Sequence, residues 1–129
     1  MALTADVVQR AWTDTDRVVE ETRHQYRLRR EQVEAMALAD MVTKGRVADV
    51  PCVVALKQRI VEIVIDDGRD IAPLVPSAWF LENQGWQIIV LTPLRLMGDA
   101  HRLLRGSPVK LQPWWIEDEQ VLYGSFERP

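Results

Sequence analysis

The sequence predicts an α+β fold: a long N-terminal helix, continuous or broken near residues 13–16, followed by a small mixed or antiparallel sheet with one or two additional helices. Three observations predict it. Neither Gly nor Pro occurs between Met1 and Lys44, so no sequence signal stops a helix before Gly45. Within that span Ala5, Trp12, Val19, Tyr26 and Val33 recur at seven-residue spacing, an incomplete coiled-coil-like seam that fails at Asp40. After Gly45 short β-branched and aromatic runs alternate with Gly, Pro and Asp. One domain over residues 1–129 is expected, with a helical segment over 1–45 and a mixed body over 46–129.

Thr4 or Asp6 is placed to cap the first helix. Unbroken to residue 44 it would run about 60 Å, whereas a compact domain of this length is roughly 36 Å across. The helix therefore either breaks at the cap-favouring run Thr13-Asp14-Thr15-Asp16 or packs its excess length on another chain. Residues 51–58 read as a short helix. Residues 60–66, IVEIVID, read as a strand ending in the turn signal Asp67-Gly68. Residues 77–85 fit a helix capped by Ser77 and stopped by Gly85, or a hairpin arm, and residues 86–91, WQIIVL, a buried strand. Residues 92–106 read as a helix with Thr92 as N-cap, Pro93 in the first turn and Gly106 past the end. VKLQPWWI and QVLYGSFE flank the acidic turn Glu117-Asp118-Glu119 as a hairpin.

The totals exclude several classes. At 47% hydrophobic and 27% charged the chain is globular, and a net charge of -3 gives no overall basic field for nucleic acid or an anionic membrane. Cys52, the only cysteine, can form neither an intramolecular disulfide nor a thiolate metal site alone. The opening MALTADVVQRAW lacks a signal-peptide pattern, and runs such as IIVL are too short to span a bilayer. A cytoplasmic location away from membranes is expected.

Residues 21–34, ETRHQYRLRREQVE, concentrate basic charge in Arg23, Arg27, Arg29 and Arg30. On a helix Arg23 pairs back to Glu20, Arg27 reaches Glu31 and Arg30 reaches Glu34, leaving Arg29 alone without a carboxylate three or four residues away. That pattern suits a solvated face better than a nucleic-acid surface, which draws its affinity from unpaired cations and released counterions. His24, with Glu20 and Glu21 one turn before it, is a single Glu-x-x-His where metal sites need three or four ligands. Asp66, Asp67 and Asp70 surround Gly68 with spacing unlike a calcium loop, and turn chemistry accounts for them. No phosphate-loop, dinucleotide, nucleophile-elbow or zinc-protease motif occurs, and no metal or cofactor is expected.

Adjacent Trp114 and Trp115 on a strand must face opposite sides, so one can fill a core and the other meets solvent, a second layer, a ligand or a partner. The leading expectation is therefore a non-enzymatic protein–protein interaction or assembly protein, self-associating as a homo-oligomer or binding another protein. Its surface would comprise Trp12, Val19, Tyr26 and Val33 on the helix with Trp114 and Trp115. Two alternatives stand beside it. One is a nucleic-acid-binding regulator using Arg23, Arg27, Arg29 and Arg30. The other is a small-molecule binder or enzyme with a Trp-lined pocket built from Trp79, Trp86 and His101, supported by Trp114, Asp66 and Asp70.

Overall fold

The computed structural model describes residues 12–129; the caps expected at Thr4 and Asp6, and the seam position Ala5, lie outside the described residues. The first helix among the described residues, α1 (Asp14–Leu28), leads into β1 (Val33–Ala37), β2 (Pro51–Ala55) and β3 (Ile60–Val64). Then come α2 (Leu74–Asn83), β4 (Gln87–Pro93), α3 (Met97–Leu103), β5 (Val109–Glu117) and β6 (Gln120–Tyr123). The strands form one curled, mixed sheet in the order β1-β2-β3-β4-β5-β6. The β1–β2, β2–β3 and β5–β6 pairs are antiparallel. The β3–β4 and β4–β5 pairs are parallel, and the crossovers that parallel pairing requires carry α2 and α3.

This corrects the expected architecture. The helix has 15 residues, and the sheet, with six strands, is the larger element. Thr13 starts α1 through a capping box: its hydroxyl accepts from the Asp16 amide at 3.1 Å, and the Asp16 carboxylate accepts from the Thr13 amide at 3.0 Å. The far end explains why no stop was legible. Arg30 takes a left-handed conformation (φ 59°), and its amide donates to the Arg27 carbonyl at 2.9 Å while the Glu31 amide donates to that of Tyr26 at 3.0 Å. That is the hydrogen-bond pattern of a Schellman stop, with arginine where glycine is usual. Val33, the last matching seam position, lies on β1.

Other boundaries move too. Residues 51–58 are not helical: β2 begins at Pro51, where a missing amide is tolerated, and residues 56–59 turn back with Arg59 at φ 56°. Asp67-Gly68 is no hairpin, because the Asp67 carboxylate accepts from the Arg69 amide at 2.9 Å and opens a short 3-10 turn. Ser77 lies inside α2, while Gly85 follows its end at φ 87°. Thr92 and Pro93 close β4, paired with Pro113 and Trp114, and the helix waits until Met97. The β5–β6 hairpin turns on Asp118 and Glu119, both at positive φ, as a two-residue loop matched to strand twist demands.

Both faces of the sheet are covered. On one, Val54, Ile63, Val90 and Leu111 pack beneath Leu74 and Leu81 of α2 and Ala100 of α3. On the other, Val18 of α1 packs with Val64, Leu91 and Trp114, and Tyr26 with Val53 and Ala55. Burial on two sides explains why β3 is apolar at every position but Glu62, since a strand between two layers needs no polar face. Alternation sends Val61 and Ile63 toward α2 and leaves Ile60, Glu62 and Val64 on the α1 side. Among the described residues no helix is long and apolar enough to cross a membrane.

Candidate functional site

α1 occupies the α1-side face of the sheet without filling it. Beside its C-terminal half lies a cleft of about 460 Å³. Thr22, Tyr26 and Arg29 reach it from α1 and its end, a spacing of three and four that keeps them on one helix face. Ile60 and Glu62 come from β3, Ile89 from β4, Gln112 from β5 and Tyr123 from β6, with Phe126 beyond. A wider hollow of about 910 Å³ opens between α1 and the β5–β6 turn, rimmed by Trp12, Arg17, His24 and Gln120, but no buried side chain lines it. The smaller cleft holds the unusual chemistry.

Glu62 is 7% exposed and is the only charged side chain among the buried ones described. Burial pushes its carboxyl above the ordinary glutamate range; a hydrogen bond from Tyr26 and the Arg29 charge counter this in part. The Tyr26 phenol is pushed up by burial and then by the neighbouring Glu62 charge. Burial likewise moves Tyr123 up to about 12, against the pull of its bond with Thr22, whose hydroxyl lies 2.9 Å away. The Gln112 amide donates to the Gly124 carbonyl at 3.1 Å. At the rim the Arg29 guanidinium stands 4.7 Å over the Tyr26 ring and 3.5 Å from Glu31, and the Lys110 ammonium lies 5.9 Å from the Phe126 ring.

The expected site residues scatter. Val19 packs between α1 and the sheet, Tyr26 faces Glu62, and Trp12 stands 58% exposed ahead of the cap. Trp114 is buried under α1, and Trp115, next to it on β5, is half-buried. Arg23 and Arg27 both bind Glu20, each at 3.2 Å, and Arg30 sits in the turn that ends the helix. Trp79 is exposed on α2, Trp86 lies under the Arg59 guanidinium at 4.4 Å, and His101 meets Glu127 at 2.7 Å, so the three form no shared wall. Asp66 pairs with Arg95 at 2.9 Å. His24 has no metal-binding set around it: among the described residues no three His, Cys, Asp or Glu side chains cluster to hold an ion. Cys52 is buried, and desolvation moves its thiol up to about 12, which keeps it protonated and inert.

Sequence reasoning missed Glu62, Thr22, Gln112 and Tyr123. One signal was available for Glu62: it is the single charge within IVEIVI, a run otherwise suited to burial on both sides. The fold and cleft together define an α+β protein in which a helix lies on a curled sheet over a buried carboxyl. Comparison with known protein families, curated proteins and solved structures finds no match.

Proposed function

We propose that the protein binds a small molecule in the cleft between α1 and the curled sheet. One observation carries this reading: a glutamate, 7% exposed, lies in the wall of an open cleft, amid tyrosine hydroxyls and apolar side chains. Burying a carboxyl costs several kcal/mol unless it is well partnered. An apolar residue there would stabilise the fold more, so the glutamate is better explained by recognition than by packing. A concave, mostly apolar site with a few convergent polar groups is the usual form of a ligand pocket, and a carboxyl perturbed by burial within a cleft is a mark of function.

The other expectations have less to rest on. Val19 and Tyr26, which a self-associating helix would present outward, pack on their own sheet. Arg23 and Arg27 share Glu20 and Arg29 pairs with Glu31, so three of the four arginines already have a carboxylate beside them.

The test is an NMR screen of pooled fragments against the isotopically labelled full chain. Binders that shift Thr22, Tyr26, Glu62, Ile89 and Tyr123 as a group support the reading. A diverse pool that leaves these resonances in place refutes it.

A further inference from the structure

Resting on that reading, we infer that the ligand is a primary amine on an apolar or aromatic body, its ammonium group seated on the Glu62 carboxylate between Tyr26 and Tyr123. Most polar groups of the cleft already have a partner within the chain. The Thr22 and Tyr123 hydroxyls are 2.9 Å apart and share one hydrogen bond. The Gln112 amide is bonded to the Gly124 carbonyl. Glu62 has the Tyr26 hydroxyl as its neighbour, and its two carboxylate oxygens offer about four acceptor positions. The unfilled capacity is for donors, and an ammonium group brings three together with the opposite charge.

The walls agree with a cation. Tyr26, Tyr123 and Phe126 present aromatic rings, whose faces attract positive charge. The chain's own cations already use two of them: Arg29 lies over Tyr26, and Lys110 near Phe126. Neither takes the place of a ligand on Glu62. Arg29 is drawn toward Glu31 at 3.5 Å with 55% of its side chain exposed, so water screens its charge. An anionic ligand would bring a second negative charge beside a buried carboxyl, which favours neither. A quaternary ammonium would satisfy the rings but offer Glu62 no donor.

Three probes with the same ring separate these cases: phenethylamine, phenylacetate and phenylacetamide, titrated by NMR into the full chain. Phenethylamine is expected to shift Thr22, Tyr26, Glu62 and Tyr123 and to bind at least about tenfold more tightly than the other two, one buried charge-assisted contact being worth about that much. Its affinity should rise with pH as Glu62 ionises, because burial holds Tyr26 and Tyr123 protonated across that range. Glu62→Gln should remove the preference; if that variant does not fold, the pH dependence of the natural chain decides alone. Equal or tighter binding of the acid or the amide within the cleft overturns the amine and leaves the cleft a ligand site. Silence from all three probes overturns the amine too, and the fragment screen then judges the cleft by itself.

Discussion

The hydroxyls of Thr22 and Tyr123 meet 2.9 Å apart, across 101 positions of sequence. The bond ties the middle of α1 to β6 and forms one wall of the cleft, so α1 and β6 hold the site between them. Removing either partner strands the other. Tyr123→Phe or Thr22→Val alone should cost about 1–3 kcal/mol, the desolvation of an unpaired buried hydroxyl. The double variant should lose clearly less than the sum, because neither group is then left unmatched. Urea denaturation of all four proteins measures this, and strictly additive losses would show that the hydroxyls do not meet in solution.

Glu62 sets a pH dependence with a definite sign. Its folded value is raised above the ordinary 4.5, so between those two values the folded chain holds a proton that the unfolded chain has released. Its contribution is fully present below about 4.5 and is lost as pH rises through the folded value. The slope is at most about 1.4 kcal/mol per pH unit for one proton. Glu62→Gln cannot ionise; it should match the parent in acid, exceed it in stability at high pH and lack this slope. Denaturation midpoints across the pH range, compared pairwise, would contradict this if the two curves ran parallel.

Arg30 holds a left-handed backbone at φ 59° without glycine's freedom. Arg30→Gly should therefore stabilise the chain by about 0.5–1 kcal/mol, the steric relief exceeding glycine's extra entropy when unfolded. The change also deletes one cation of the arginine-rich segment. A fall in melting temperature would mean that the guanidinium contributes more than the turn geometry indicates.

Gly124 is required for close approach. A Cβ placed there would lie 2.6 Å from Pro113 Cγ, and its amide already donates to the Pro113 carbonyl at 2.8 Å. Gly124→Ala must push the segment after β6 off the sheet, at about 1–3 kcal/mol, the usual range for overpacking. Phe126 rims the cleft two residues on, so the same substitution should weaken any ligand held there. Unchanged stability, read from the urea midpoint, would show that the chain slides past Pro113 without cost.

How much of this was legible depends on whether the signal was local. The capping box at Thr13 and Asp16, the hairpin around Asp118 and Glu119 and the helix stop before Gly85 are written in neighbouring residues, because caps and turns are satisfied within a few positions. The helix end at Arg30 was not, since arginine there gives no compositional sign of a positive φ. The run from Pro51 to Ala55 was misread because a strand buried on both faces loses the alternation that distinguishes strand from helix.

By itself, then, the sequence determined the mixture of helix and strand, the hairpin at the C-terminal end and the helix stop before Gly85, all consequences of short-range backbone chemistry. Only the tertiary structure decided that α1 lies on the sheet, and that Glu62 stands beside Tyr26 and Arg29 in the wall of the cleft. Those outcomes depend on which faces six strands turn toward one helix. That is a matter of register and curl among residues up to a hundred positions apart, and no window along the chain contains it.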